Sequence, residues 1–450
     1  MARAKKETAL TPEERLQAAL VPDWEWPYKL PENWCWTRHN SIMDIVGGAQ
    51  PEKAFFIREP KEGYVQLYQT RDYGENPVPV YIPQKYATKT TDEGDILLAR
   101  YGGSLGKVFR AHKGAYNVAL AKVIILYPEV VDDEFLYLYY YSHFYQDFCI
   151  KAGYGRSAQA GFNKSDLNEL LFPLPPFIEQ RRIVERIESL FAKLDEAKEK
   201  AQAVVDSFET RKAAILHKAF TGELTAKWRE EHGVRMESWE VRTLDSVCSS
   251  IFDGDHMPPP KAESGIPFLV ISNVNTGHLT FENTRFVPQE YYDTLSDTRK
   301  PQLGDVLYTL VGSFGIPVVV NSKRPFCFQR HMALLRPIDV SPQFLWYILQ
   351  TPEMYDKASS IATGTAQLTV PIKGLRAMTI PRPNIAEQVE IVRILDGFFA
   401  REQSAKEAAE AVLDQIDLMK KSILARAFRG ELGTNDPSEE SAVELLKQIF

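Results

Sequence analysis

Glu179-Gln180, followed by Ile183-Val184, returns 208 residues later as Glu387-Gln388, followed by Ile391-Val392. From these stretches the match runs on without a gap. Phe191-Ala192 matches Phe399-Ala400, Ile215-Leu216 matches Ile423-Leu424, and Ala219-Phe220 matches Ala427-Phe428. Gly222-Glu223-Leu224 closes the segment and matches Gly430-Glu431-Leu432. A repeat of this length within one chain implies two similar units related by a pseudo-two-fold. That geometry suits a two-part target or two copies of one partner.

Each copy reads as a long helix. Ile183, Ile187, Leu190, Leu194, Ala197, Ala201, Val204, Phe208, Arg211 and Ile215 follow one another at alternating steps of four and three, the spacing of a heptad seam. The second seam is Ile391, Leu395, Phe398, Glu402, Ala405, Ala409, Val412, Ile416, Met419 and Ile423. Only Arg211 in the first and Glu402 in the second are not apolar. Two seams of one period in one chain most simply pack on each other as an antiparallel coiled coil. Pro173-Leu174-Pro175-Pro176 precedes the first helix and Pro381-Arg382-Pro383 the second, positions where proline is tolerated. The Gly of each Gly-Glu-Leu is a stop signal. Gly397 is the one glycine inside and costs only about 1 kcal/mol. Roughly 40 helical residues span about 60 Å.

The stretches before the helices repeat more weakly, and each has the length of one domain. Each opens on aromatic residues, Pro31-Glu32-Asn33-Trp34-Cys35-Trp36 and Glu237-Ser238-Trp239-Glu240-Val241. Gly94-Asp95-Ile96-Leu97-Leu98 with Gly103-Ser104-Leu105-Gly106 parallels Gly304-Asp305-Val306-Leu307-Tyr308 with Gly312-Ser313-Phe314-Gly315, turn–strand–loop in both. Phe135-Leu136-Tyr137 parallels Phe344-Leu345-Trp346, and Ala158-Gln159 before Leu167 parallels Ala366-Gln367 before Leu375. Most side chains between these landmarks differ. A shared scaffold with different exposed residues is what two readers of different targets require. The expected fold is α/β in the α+β sense: two similar mixed domains separated by two long helices. The expected boundaries are residues 1–29 for an arm and short helix, 30–172 for the first domain, 173–224 for the first helix, 225–380 for a linker and second domain, 381–432 for the second helix and 433–450 for a tail helix.

With 44% hydrophobic and 25% charged residues, the 450-residue chain can build more than one core. No apolar run has membrane-spanning length, and the start lacks a signal-peptide core. Cys35, Cys149, Cys248 and Cys327 are scattered without a CxxC pair, which points to a reducing cytoplasm and no zinc site. A net charge of −7 argues against indiscriminate binding to nucleic acid but leaves room for local basic grooves. Arg100, Lys107, Arg110 and Lys113 surround the first Gly-Ser-x-Gly loop, and Arg299-Lys300, Lys323-Arg324 and Arg330-His331 surround the second.

Catalytic motifs are mostly absent. Gly102-Gly103-Ser104-Leu105-Gly106-Lys107 is no phosphate loop, because Val108 stands where Ser or Thr belongs and Tyr101 where the first Gly belongs. Leu174-Pro175-Pro176-Phe177 has the outline of the Asn-Pro-Pro-Phe loop of adenine methyltransferases, but leucine cannot bond an exocyclic amine. Asp195-Glu196-Ala197-Lys198 lies in the heptad region, where charges flank the seam. His217 and His331 lack triad partners at identifiable spacing. Asp253, Asp255 and His256 adjoin Pro258-Pro259-Pro260, a surface-loop context. The chain reads as a binder without catalytic or metal residues.

The order of these parts resembles one family, the specificity subunit of type I restriction–modification systems. The resemblance covers nearly the whole chain. It rests on the domain–helix–domain–helix layout and on Pro31-Glu32-Asn33-Trp34, Leu174-Pro175-Pro176 with Glu179-Gln180, and Thr221-Gly222-Glu223-Leu224-Thr225-Ala226-Lys227-Trp228. The second copy departs in detail: Arg382 interrupts its proline-rich turn, and its Gly-Glu-Leu runs into Gly433-Thr434. The resemblance implies two target-recognition domains, each reading half of a split double-stranded DNA site, with the helices setting the unread gap. It further implies docking of two methyltransferase subunits, joined by translocating endonuclease subunits, with methyl donor and ATP held by those partners and none by this chain. A rival reading is a coiled-coil scaffold whose two modules hold protein partners.

Arg, Lys, Asn, Gln, Ser and Thr can read base edges or hold phosphates. Flanking the loops of the first domain are Gln69, Arg71, Arg100, Ser104, Lys107, Arg156, Ser157 and Gln159. In the second they are Asn273, Asn275, Thr309, Ser313, Arg330, Thr365 and Gln367. The spacer is expected to rest on the apolar seam residues given above. Thr11-Pro12-Glu13-Glu14 and Ser438-Glu439-Glu440-Ser441 each introduce a short capped helix with an apolar stripe.

Overall fold

A computed structural model describes residues 11–154, 161–254 and 259–450, the side chain of Tyr154 excepted. The chain divides into two compact units, the first running to Lys200 and including Ala411–Phe450, the second Ala201–Glu410.

Unit 1 carries β1 (Cys35–Arg38), β2 (Met43–Gly47), β3 (Tyr64–Tyr68), β4 (Tyr81–Pro83), β5 (Thr90–Thr91), β6 (Ile96–Ala99), β7 (Val108–Arg110), β8 (Gly114–Tyr116), β9 (Leu120–Ile125) and β10 (Leu171–Leu174). The main sheet is antiparallel in the order β2-β9-β6-β7. A second sheet runs β4-β3-β8-β5 with β3 and β8 parallel, and β1 pairs with β10. Every residue of β6 is buried, as its unbroken apolar sequence demands of a strand covered on both faces.

Unit 2 carries β11 (Glu240–Thr243), β12 (Cys248–Asp253), β13 (Ile266–Leu269), β14 (Arg285–Val287), β15 (Val306–Thr309), β16 (Pro317–Val319), β17 (Cys327–Phe328), β18 (Met332–Pro337) and β19 (Thr379–Arg382). Its main sheet, β12-β18-β15-β16, has the order of the first. Its small sheet, β14-β13-β17, again holds a parallel pair, and β11 pairs with β19. The Gly-Asp landmarks start the matching strands β6 and β15. Gly94 and Gly304 have φ of 90° and 91°, and the following carboxylates accept the backbone N–H of Asp92 at 2.7 Å and Gln302 at 2.8 Å. The aromatic runs are helical: Asp133–Tyr141 buries Phe135, Leu136, Tyr139 and Tyr140, and Pro342–Ile348 buries Phe344, Leu345, Tyr347 and Ile348.

The repeated Glu-Gln pairs open the long helices Phe177–Asp206 and Ile385–Ala427, and all four side chains are fully buried. Gln180 donates to the carbonyls of Val130 and Pro175 and accepts the N–H of Asp132, the cap of the next-packed helix. Gln388 repeats this with the Pro383 carbonyl and the N–H of Ser341. Glu179 accepts from Trp34 Nε1 at 2.7 Å, Asn435 Nδ2 at 2.9 Å and Thr434 Oγ1 at 3.3 Å. Glu387 accepts from Trp239 Nε1 at 2.9 Å and from Thr225 Oγ1 and Arg229 Nη1, both at 2.7 Å. Each carboxylate thus ties a domain's opening tryptophan, its helix start and a segment that follows a Gly-Glu-Leu.

Within each unit the helical segments run antiparallel. In unit 1 Lys420 pairs with Asp195 at 2.5 Å, while Ile183 and Ile187 share a core with Leu424, Ala427 and Phe428. In unit 2 Glu402 pairs with Arg211 at 2.7 Å, while Leu216 and Ala219 share a core with Ile391 and Leu395. The two polar exceptions of the seams therefore meet each other. The first helix is not continuous to Gly222. It breaks at Ser207, whose hydroxyl donates back to the Ala203 and Val204 carbonyls and receives Arg211, and it resumes as Phe208–Phe220. The second seam also needs correction. Val412 is 40% and Met419 47% exposed, and Ala405 is exposed too. Their places on the covered face go to Lys406, Leu413 and Lys420. Two successive steps of four, Phe398 to Glu402 to Lys406, shift the phase. The lysines fill the face by lying over Phe208 at 5.1 Å and Phe191 at 5.0 Å, so a search for apolar residues passes them by. The remaining seam residues, among them Leu190, Leu194, Val204, Ile215, Ile416 and Ile423, are buried or half-buried.

The short end helices form as expected. Pro12–Ala19 has its Thr11/Glu14 capping box, and Ala442–Ile449 is capped by Ser441. Both bury their apolar stripes in the unit 1 core. No helix among the described residues is long and apolar enough to cross a membrane.

Candidate nucleic-acid interface

At one end of each main sheet the same set of loops meets. In unit 1 Gly48 N donates to Leu120 O at 2.9 Å, Asn117 N to Tyr68 O at 3.0 Å, and Arg100 N to Ala119 O at 2.9 Å. In unit 2 Gly254 N donates to Met332 O at 3.2 Å, Gln329 N to Leu269 O at 3.1 Å, and Leu310 N to His331 O at 2.8 Å. These six bonds join corresponding strand ends. They close a corner from the ends of β2, β3, β6 and β8 with the start of β9, and from β12, β13, β15 and β17 with β18. A glycine is obligatory at both: a Cβ on Gly48 would lie 2.1 Å from the Asn117 carbonyl oxygen, and one on Gly254 2.2 Å from that of Phe328. A further strand edge joins each corner, through Phe162 N to Arg100 O at 3.3 Å and Val370 N to Leu310 O at 2.9 Å.

Most sequence candidates sit on these loops. Gln69 and Arg71 follow β3; Arg71 is exposed, and the Gln69 N–H is held by Asp72 at 2.8 Å. Arg100 immediately follows β6, and its Nη2 donates to Val118 O at 3.0 Å while the guanidinium lies 4.9 Å from the Tyr101 ring centre. Ser104 is half-buried and Lys107 exposed in the β6–β7 turn. Arg156, Ser157 and Gln159 lie outside the described residues, as do Asp255 and His256. In unit 2 the exposed candidates are Asn275, Ser313, Arg330, Thr365 and Gln367. Val311 and Thr369 bridge the loop of Ser313 to that of Thr365 and Gln367.

Asn273 and Thr309 belong to the framework and not to the open surface. Asn273 is 2% exposed; its Oδ1 accepts Val270 N and its Nδ2 donates to Glu282 O. Thr309 is fully buried, donating to Ser313 O at 2.8 Å and accepting Ile316 N at 2.9 Å, so it shapes the loop that bears Ser313. Of the other basic residues near the loops, Arg110 is committed to Asp133 and Glu134 and covers the Tyr137 ring. Burial, with Arg330 beside it, lowers the pKa of His331.

Sequence reading missed the turn that completes each corner. Asn117-Val118-Ala119-Leu120 and Gln329-Arg330-His331-Met332 close with the bonds Leu120 N to Asn117 O at 3.0 Å and Met332 N to Gln329 O at 3.2 Å. The second residue of each turn, Val118 or Arg330, is exposed. The available signal was positional, since both turns immediately precede the apolar strands β9 and β18.

Among the described residues no cluster of three or more His, Cys, Asp or Glu side chains could hold a metal ion. All four cysteines are buried and none is in a disulfide, and burial pushes the Cys35, Cys149 and Cys248 thiols up to about 12.

The chain matches known proteins in sequence and fold. The type I restriction modification DNA specificity domain family matches residues 31–205 and again 236–413, and the chain belongs to it. The chain is 26% identical to the EcoKI type I restriction enzyme specificity subunit of Escherichia coli K12, over 94% of this chain and 96% of that one. It is 25% identical to the EcoBI specificity subunit of Escherichia coli, over 93% and 92%. The crystal structure of the HsdS subunit from Thermoanaerobacter tengcongensis superposes with a TM-score of 0.63 over 90% of this chain and 99% of that one; at 22% identity the likeness is one of fold.

Proposed function

We propose that this chain is the specificity subunit of a type I restriction–modification complex. It reads a two-part double-stranded DNA target and directs adenine methylation and restriction by partner subunits. Each unit supplies one target-recognition surface, and the long helices serve as the spacer. The observation that carries this reading is the corner built twice from the same backbone bonds, with different side chains on it. In a family of DNA specificity domains, a shared frame with exchanged exposed residues fits two readers of different half-sites.

The chemistry is assigned to partners. Two methyltransferase subunits would bind the methyl donor, endonuclease subunits would bind ATP, and this chain would act without catalysis. Side chains at the corners would contact base edges, and exposed lysines such as Lys107 would hold phosphates and fix register.

The test compares adenine methylation across a host genome with and without this reading frame, supplied with the neighbouring methyltransferase. Methylation at one motif of two short blocks separated by unspecified bases is the expected result. Unchanged methylation, with the complex assembled, would replace this reading by a protein-binding scaffold.

A further inference from the structure

Resting on that reading, we infer that Val118 and Arg330 occupy the same position of the two readers and each select one base, a thymine through its methyl group in one half-site and a guanine in the other. The equivalence comes from backbone geometry. Both residues are second in a four-residue turn closed by a bond from fourth to first residue. In both turns the first residue donates to the end of a small-sheet strand, Tyr68 or Leu269, and the third accepts from the end of a central strand, Arg100 or Leu310. Bonds on either side thus fix the turn, and the second side chain is the one left projecting. Val118 is 39% exposed and Arg330 is exposed.

The side chains around this position are exchanged in a coherent way. In unit 1 the corner's arginine comes from the central strand: Arg100 is drawn onto the turn, bonded to the Val118 carbonyl and lying over Tyr101. In unit 2 the matching strand residue is Leu310, 3% exposed, and the arginine is on the turn itself. Arg330 forms no hydrogen bond or ion pair among the described residues, so its guanidinium is available to a ligand. A guanidinium matches the two acceptors on the major-groove edge of guanine, and an apolar side chain matches the C5 methyl group of thymine. The Val118 side chain has no donor or acceptor, so the methyl group is the base feature it can select.

The experiment expresses the full chain with its methyltransferase partner in cells lacking other adenine methylation, and reads the methylated motif by long-read sequencing. Arg330→Ala is expected to relax one guanine in one half-site, with discrimination falling roughly ten- to hundredfold, and to leave the other half-site intact. Val118→Ala is expected to relax one thymine in the other half-site by a smaller factor. Arg330→Gln should move the preference from guanine toward adenine, since a glutamine amide pairs with the adenine edge. Unchanged motifs in variants that still methylate would overturn the inference, as would one variant altering both half-sites. Should Arg330→Ala methylate nothing, Arg330→Gln decides: a guanine-to-adenine shift supports the assignment, and loss of methylation by a folded, assembled complex overturns it. If the unaltered chain itself gives no two-part motif, the proposed function fails, a result distinct from an unmoved motif in the variants.

Discussion

Where unit 1 sets the buried Glu179 against Trp34, Thr434 and Asn435, unit 2 sets the buried Glu387 against Trp239, Thr225 and Arg229. The carboxylate, its helix position and its tryptophan are the same. The third partner is an amide in one unit and a guanidinium in the other. Burying a charge beside neutral donors differs from burying it beside an opposite charge. In unit 1 burial raises the Glu179 carboxyl from its usual value, against the pull of its three hydrogen-bond donors and of the Arg182 charge, which does not bond to it. In unit 2 the Arg229 side chain is only 10% exposed and also donates to Gly222 O at 2.6 Å, so the pair is enclosed by its own segment. One architectural device is thus built with two electrostatic strategies.

Removing the carboxylates separates the strategies. Glu387→Ala leaves the Arg229 guanidinium buried without its counter-charge and is expected to cost about 3–5 kcal/mol in unit 2. Glu179→Gln keeps shape and one acceptor among neutral donors and is expected to cost about 1–2 kcal/mol in unit 1. Hydrogen exchange followed by mass spectrometry reads each unit in its own peptides. Equal losses in the two units would show that the Arg229 charge does not distinguish the sites.

A second contrast concerns protons. The short helices His39–Ile42 and Leu244–Val247 hold equivalent places after β1 and β11, and both first residues are fully buried. In unit 1 that residue is His39, bonded to Asn40 Oδ1 at 3.0 Å and Tyr140 Oη at 2.7 Å. Burial lowers its pKa from 6.5 to about 4. Its neutral ring fits Nδ1–H donating to Asn40 and Nε2 accepting from Tyr140. The unfolded chain therefore takes up a proton near pH 6.5 that the folded unit refuses until about pH 4. Stability from this site is complete above 6.5 and falls as the pH drops through that window, by up to about 3 kcal/mol. Exchange protection at pH 5 against pH 7 should fall in unit 1 more than in unit 2. His39→Leu, which installs the unit 2 residue, should reduce that difference. A pH response unchanged by His39→Leu would place its source elsewhere.

These contrasts show what the linear sequence carries. The helix pair was legible because a heptad pattern is local, and β6 and β15 because Gly-Asp before an apolar run is local turn grammar. Arg211 and Glu402 were visible as the odd members of two seams, but their pairing depends on antiparallel register, which no single segment encodes. The seam's phase after Phe398 was misread because Lys406 and Lys420 bury their stems while counting as polar. The corners were least legible. The bond from Asn117 to Tyr68 joins residues far apart in the chain, and its importance appears only beside the bond from Gln329 to Leu269. For the same reason Asn273 and Thr309, typical base-reading residue types, turn out to be spent on holding loops.

The mildest contrast lies on the helices. Gly397 in the second long helix corresponds to Ser189 in the first, each ten residues past the glutamate of its Glu-Gln pair. Gly397 is exposed, and a Cβ there would meet nothing within 4 Å. Glycine in a helix interior gives up more backbone entropy on folding than alanine does, by about 0.5–1 kcal/mol. Gly397→Ala should therefore stabilise the second helix by about that amount, read as slower exchange of its flanking amides, whereas Ser189→Ala should gain less because serine already restricts the unfolded chain. A loss of stability from Gly397→Ala would mean that the helix bends at this residue in a way that its open surroundings do not show.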